Sequence, residues 1–210
     1  GAGESGAGSA VLAQQKGFDV FVSDSGTIKD KYREILVSHN IAFEEEKHTP
    51  ELIMNAAEVI KSPGLREDNL LVVAIREKGI PVISEIEFAG RYTDALKICV
   101  TGSNGKTTTT NLIYHMMKKA GLNVAMTGNV GNSFAMAVAQ GGYDYYVIEL
   151  SSFQLDGMYD FRAEIAILMN ITPDHLDRYD HEMQNYTDSK MRVIRNQTAA
   201  DHFIWCADDP

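Results

Sequence analysis

The stretch Val100-Thr101-Gly102-Ser103-Asn104-Gly105-Lys106-Thr107-Thr108 constrains this chain more than any other, because it sets a glycine turn, a lysine and a row of hydroxyls between a strand and a helix. Ahead of it, Leu96-Lys97-Ile98-Cys99-Val100 has the short, apolar, part β-branched character of a buried parallel strand. Behind it, residues 109–120 carry Leu112, Ile113, Met116 and Met117 at helical spacing, and Gly121 supplies a stop. Glycines let backbone N–H groups converge on phosphate oxygens, and a helix N-terminus adds partial positive charge. Such a loop cradles a nucleoside triphosphate, with Lys106 reaching the β- and γ-phosphates and Thr107 holding Mg²⁺. The long form of the loop has glycine where Val100 stands, so this is the shorter Gly-x-x-Gly-Lys-Thr version. The plainer alternative is a Gly/Ser turn that caps an ordinary helix.

With 210 residues the chain is long enough for two small domains. The first ~95 residues alternate helix and strand signals as in a Rossmann-like doubly wound parallel sheet. Helices are expected over 9–15, 30–38, from Pro50, and over 69–78; strands over 19–23, 41–43, 58–60 and 81–83. The pattern restarts at Leu96 as a P-loop-type α/β unit, which sets domains at 1–94 and 95–210. In the second, strands are expected over 123–126, 145–150, 164–169 and 202–206, and helices over 132–139 and 185–196. Both ends read as cut, since no strand precedes the opening glycine turn and Ala207-Asp208-Asp209-Pro210 stops where a loop should continue.

The balance of 19 basic and 29 acidic residues, a net of −10, argues against a nucleic-acid partner. No apolar run approaches the ~20 residues of a membrane helix, and a cytoplasmic protein without a membrane partner is expected. Cys99 and Cys206 have no metal-like spacing and read as core thiols.

Gly1-Ala2-Gly3-Glu4-Ser5-Gly6 is a Gly-x-Gly-x-x-Gly turn, and Asp24 follows Gly6 by 18 residues at the end of the second strand signal. That pair suits a diphosphate at a helix N-terminus with a ribose or base near the acid. It fits a nicotinamide cofactor and a different nucleotide equally well. Glu149 ends the apolar run Val147-Ile148, at the strand edge where a carboxylate can hold the Mg²⁺ of a nucleotide. His175, between Asp174 and Asp177, follows another strand and can bind or orient a metal. Spacing alone makes Lys190, four residues after Tyr186, a solvated helix lysine.

Taken together, Gly102-Ser103-Asn104-Gly105-Lys106-Thr107, Gly128-Asn129-Val130-Gly131, Glu149-Leu150-Ser151-Ser152-Phe153-Gln154-Leu155 and Asn170 through Asp177 resemble the Mur ligases. The short phosphate loop is that family's usual form, and the Glu-Leu-Ser-Ser-Phe-Gln-Leu run resembles its D-glutamate-adding branch. The resemblance implies an ATP-dependent ligase of peptidoglycan precursor synthesis that joins D-glutamate to UDP-N-acetylmuramoyl-L-alanine through an acyl phosphate. It implies that residues 1–210 hold the first domain and much of the second, without the amino acid-binding third, and are inactive alone. Substrate contacts are implied for Gly3, Ser5, Gly6, Asp24, Ser25, Ser62, Pro63, Gly64, Asn129, Ser151 and Gln154. The loop from Gly102 to Thr108 would take ATP. Thr107, Glu149, His175 and Lys190 would hold two Mg²⁺ ions, Lys190 as a carbamate, with Lys106, His175 and Lys190 catalytic. Rival readings are a dehydrogenase-like nucleotide binder centred on the first glycine turn and a regulatory P-loop ATPase; neither gives Glu149, His175 and Lys190 a joint purpose.

Overall fold

A computed structural model of the protein describes residues 1–208; Asp209 and Pro210, in the expected interrupted loop, lie outside the described residues. In chain order the elements are α1 (Glu4–Gln15), β1 (Phe21–Ser23), α2 (Asp30–Ser38), β2 (Ala42–Glu44), α3 (Pro50–Ile53), β3 (Val59–Ile60), α4 (Leu70–Glu77), β4 (Val82–Ile83) and α5 (Glu85–Gly90). They continue with β5 (Leu96–Thr101), α6 (Lys106–Lys119), β6 (Val124–Gly128), α7 (Phe134–Gln140), β7 (Tyr145–Glu149), α8 (Ser152–Leu155), β8 (Ile165–Leu168), α9 (Met183–Met191) and β9 (His202–Trp205). The chain is α/β throughout. It divides into two compact units, Gly1–Tyr92 with Ser133–Gln140, and Thr93–Asn132 with Gly141–Pro210.

In the first unit the described strands form two parallel pairs, β1 with β2 and β3 with β4. Helix α1 begins at Glu4, earlier than its apolar residues suggest, because the glycine turn runs straight into it with Gly3 as N-cap. Its Ala10 and Val11 are buried with Val22, Ile28, Leu36 and Ile41, and Met136 and Ala139 of α7 pack against that cluster. Helix α7 lies on α1 and α5. The approach is close: a Cβ on Gly8 would stand 2.0 Å from Ser133 Oγ. Helix α5 forms in a segment whose acids at 85 and 87 carry no amphipathic helix pattern. Its signal is the Ser-x-x-Glu start, and Ser84 Oγ accepts from Glu87 N–H at 3.1 Å.

The second unit is built on one five-stranded parallel sheet in the order β6-β7-β5-β8-β9. Strand β5 lies at its centre, and Cys99, Val100 and Thr101 are fully buried there. Ile98, Val124 and Val147 form a core cluster against which Ile113 and Met117 of α6 pack. Leu112 and Met116, from the same apolar pattern, are instead 55% and 53% exposed. Cys99 is a core thiol, with burial pushing it well above the usual thiol range. Cys206 corrects the expectation for it, since it lies exposed just past the edge strand β9. No helix among the described residues is long and apolar enough to cross a membrane.

Candidate functional site

The sheet register brings the motif residues of the second unit to one edge. Val100 pairs with Glu149, Gly128 pairs with Glu149 on the other side, and Thr101 pairs with Leu168. The loops after β5, β6, β7 and β8 therefore leave the sheet together, at the carboxyl ends where parallel α/β sheets gather ligands.

The phosphate loop starts at Gly102, whose φ is 143° and where a Cβ would meet Met169 Cβ at 2.8 Å and the Asn170 backbone at 3.1 Å. Gly105, at φ 83°, is the N-cap of α6, so the helix begins at Lys106 and not at residue 109 as its apolar pattern suggests. Thr107 and Thr108 lie exposed in its first turn. The segment after β8 fixes the loop. Ser103 Oγ donates to Thr172 O and accepts from Thr172 N–H, both at 2.9 Å, and Asn104 N–H donates to Asn170 Oδ1 at 2.9 Å.

Two lysines converge on this loop. Lys106 Nζ donates to the carbonyls of Gly102 at 2.8 Å and Ser103 at 2.9 Å. Lys190 Nζ donates to Gly102 O at 2.9 Å and lies 4.5 Å from the centre of the Tyr186 ring. The expectation of a solvated Lys190 is thus corrected: it is 1% exposed. Its ammonium pKa is lowered to about 8, first by burial and then by the positive charge of Lys106, against the opposing pull of Asp174 and Asp156. Tyr186, which no sequence motif marks, is equally buried and its hydroxyl stands 3.1 Å from Ser103 Oγ.

Glu149 is 1% exposed, and Asn129 Nδ2 donates to its Oε1 at 2.8 Å. Its Oε2 is buried and has no hydrogen-bond partner. Gly128, at φ 101°, lets the Asn129 loop reach this carboxylate, for a Cβ there would stand 2.2 Å from Glu149 O. His175 is an exposed left-handed residue at φ 49°, with Nε2 3.5 Å from Asp174 Oδ2 and its ring 5.2 Å from that of Phe153. Among the described residues no three His, Cys, Asp or Glu side chains group into a metal-binding cluster. Ser151 and Gln154 form a capping box on α8, with Ser151 N–H donating to Gln154 Oε1 at 3.0 Å, and Gln154 is buried.

In the first unit the glycine turn, Asp24 and Ser62 come together. Ala2 N–H donates to Asp24 Oδ2 at 2.6 Å and Gly26 N–H to Oδ1 at 2.8 Å. Burial pushes the Asp24 carboxyl up, but these backbone donors outweigh it and hold the group below the usual carboxylate range. A Cβ on Gly1 would stand 2.3 Å from Ser62 Oγ, and one on Gly6 would stand 1.9 Å from Gly1 O. Gly3 caps α1, Ser5 lies in its first turn and Ser25 is exposed beside Asp24. Ser62, Pro63 and Gly64 form a turn after β3, closed by Leu65 N–H on Ser62 O at 3.1 Å. Glu85, which no sequence motif marks either, is 1% exposed and accepts from Ser133 Oγ at 2.7 Å and Ala135 N–H at 2.8 Å.

Both units contain segments that match families of known proteins. Residues 100–210 match the Mur ligase middle domain, and residues 3–70 match the MurD N-terminal domain. The UDP-N-acetylmuramoylalanine--D-glutamate ligases of Bacteroides fragilis and Bacteroides thetaiotaomicron are 66% and 67% identical over all 210 residues, and that of Porphyromonas gingivalis is 59% identical. The chain spans 47% of each, about half the length of the curated relatives it matches. Two solved structures share the fold. A UDP-N-acetylmuramate:L-alanyl-gamma-D-glutamyl-meso-diaminopimelate ligase from Neisseria meningitides has a TM-score of 0.65 at 19% identity, with 97% of this chain and 68% of that one aligned. The UDP-N-acetylmuramate-alanine ligase MurC of Thermotoga maritima has a TM-score of 0.61 at 21% identity, with 99% and 48% aligned. The short phosphate loop, the buried Glu149 and the middle-domain match over more than half the sequence converge on one conclusion: the chain belongs to the Mur ligase family.

Proposed function

We propose that the protein is an ATP-dependent ligase that joins D-glutamate to UDP-N-acetylmuramoyl-L-alanine, with ATP at the loop from Gly102 to Thr108 and the uridine diphosphate on the first unit. The observation that carries this reading is the burial of Lys190 against the carbonyl of Gly102. A phosphate loop needs one lysine, and Lys106 fills that role; a second, desolvated amine calls for a different purpose. At pH 7 an amine of pKa about 8 is neutral roughly 300-fold more often than one at its ordinary 10.5. A neutral amine is what carbamate formation requires, and the resulting anion would supply oxygen to a hard cation.

Thr107, Glu149, His175 and Lys190 would hold magnesium. The unpartnered, buried Oε2 of Glu149 suits it, since a hard cation takes oxygen ligands. When bound, Mg²⁺ neutralises charge on the transferring phosphoryl group. Lys106 adds a cation at the same oxygens. The alanyl carboxylate oxygen attacks the γ-phosphorus as the bond to ADP breaks. The D-glutamate nitrogen then attacks the acyl carbon, and phosphate leaves as the amide forms. Glu149 fixes Asn129 through Oε1, which orients its loop toward the substrate's linking region.

The relatives named for this activity are about twice as long, so residues 1–210 alone are expected to form no product, for want of a held acceptor amine. A cytoplasmic location belongs to the same reading. The test uses the full-length protein with ATP, UDP-N-acetylmuramoyl-L-alanine and D-glutamate. Phosphate release should require all three, and hydroxylamine in place of D-glutamate should trap a hydroxamate. Release that ignores the uridine substrate would overturn the reading.

A further inference from the structure

Strands β1 and β2 end side by side at Ser23 and Glu44, which are register partners. The chain after Glu44 folds over the Asp24 turn, with Glu46 N–H donating to Gly26 O at 3.1 Å and Lys47 N–H to Asp24 O at 3.3 Å. This brings His48 beside the Ser23–Asp24 end of the first unit, its Nδ1 2.6 Å from Ser23 Oγ.

A chain of hydrogen bonds then settles which nitrogen of His48 carries the proton. Glu44 is buried and accepts from Thr49 N–H at 2.8 Å, Thr49 Oγ1 at 2.5 Å and Ser23 Oγ at 2.8 Å. Burial raises its carboxyl pKa, but these donors prevail and hold it low, so Glu44 is ionised and can only accept. The single hydroxyl proton of Ser23 is therefore committed to Glu44. Ser23 Oγ also lies 2.6 Å from His48 Nδ1, and that contact needs its proton from the imidazole. Nδ1 carries the hydrogen, and in the neutral ring Nε2 is left with a lone pair. Nε2 has no hydrogen-bond partner among the described residues.

We infer that His48 is a specificity-determining residue for the nucleobase, its Nε2 accepting a hydrogen bond from the N3–H of uracil. The inference rests on the uridine reading of the first unit. Uracil presents an imide N–H between two carbonyls, whereas cytosine presents a lone pair at the same position. An acceptor fixed by Glu44 and Ser23 welcomes the first and repels the second. A site built to accept a hydrogen bond rejects an analogue that cannot donate it more strongly than an apolar pocket does.

The experiment is calorimetric titration of the full-length protein with UDP, CDP and 3-methyl-UDP, in which a methyl group replaces the N3 proton. Wild type should prefer UDP to each analogue by about tenfold or more, and His48→Ala should lose most of that preference by weakening UDP alone. An undiminished preference in His48→Ala overturns the role of His48 and leaves the uridine reading standing. Failure of wild type to bind UDP overturns the uridine reading and the inference with it. A second measurement avoids any variant: in the long-range ¹H–¹⁵N spectrum of wild type, Nε2 of His48 should be the unprotonated nitrogen, and its resonance should move with UDP and not with 3-methyl-UDP. A protonated Nε2, or a resonance indifferent to UDP, overturns the inference.

Discussion

Lys106 and Lys190 donate to the same carbonyl oxygen, that of Gly102, at 2.8 and 2.9 Å. One lysine belongs to the loop's own helix and the other arrives 88 residues from that carbonyl in sequence. Their charges oppose each other, and Lys190, the buried partner, is the one whose proton is loosened.

This sets a pH dependence of stability. Lys190 has a folded pKa of about 8, below its ordinary 10.5, so between those values the unfolded chain binds more protons and stability rises with pH. Below about pH 8 the full penalty of a buried ammonium is present. Lys190→Met should therefore gain stability over wild type at pH 7, by about 3 kcal/mol at most, and the gain should shrink toward pH 10.5. Urea unfolding of both proteins at pH 7 and pH 10, in buffer free of carbon dioxide, checks this; a gap that widens with pH would contradict it.

For catalysis the same side chain is expected to act as a carbamate. Lys190→Ala should lower ligase turnover by a factor on the order of 100 or more, as loss of a single charge-stabilising group does. Added acetate or formate should restore part of it. Lys190→Arg should remain inactive because it keeps the positive charge and supplies no oxygen. Steady-state phosphate release in the full-length protein distinguishes these outcomes, and normal activity in Lys190→Arg would leave only a packing role.

Asn129 and Glu149 form a second coupled pair. Asn129→Ala leaves both oxygens of a buried carboxylate without side-chain partners, and should lower stability by about 1–3 kcal/mol. Glu149→Gln removes the charge while keeping the shape, so it should unfold no more readily than Asn129→Ala yet demand far more magnesium for activity. Thermal denaturation and a magnesium titration of turnover separate the two effects.

Gly102→Ala tests the loop geometry. The new Cβ would press on Met169 Cβ and the Asn170 backbone in a conformation at φ 143° that side chains rarely adopt. We expect a loss of about 2–4 kcal/mol, seen as a lower urea midpoint, together with loss of ATP binding. Gly3→Ala, where a Cβ meets nothing within 4 Å, should be nearly neutral in the same assay.

Much of this architecture was legible because it is local. The strand, the glycines and the hydroxyls of the phosphate loop are consecutive, and their chemistry follows from adjacency. Lys190 was not legible from spacing, since α9 carries Tyr186, Ser189 and Lys190 on its buried face and two of those three are polar. Only the fold reveals that this face meets the loop after β5. Cys206 failed for the opposite reason: the apolar run His202 to Trp205 is a true strand, but it lies at the sheet edge, with Ile204 and Trp205 themselves exposed. Helix α5 escaped because its acids resemble a surface turn, although Glu85 and Glu87 are each 1% exposed.

The segment Ser133–Gln140 belongs to the first unit although residues of the second flank it on both sides. The polypeptide therefore passes from one unit to the other three times, and no single cut yields two whole domains. A ribosome that has released the chain only as far as residue 92 has not yet supplied the helix that covers α1, whose Gly8 awaits Ser133 from 125 positions later. Folding of the first unit must wait for synthesis of residues 93–132, and long-range contacts of this kind slow it further. Anyone who wishes to express the first unit alone should graft residues 133–140 back through a linker, and a gene trimmed at residue 92 should give an insoluble product.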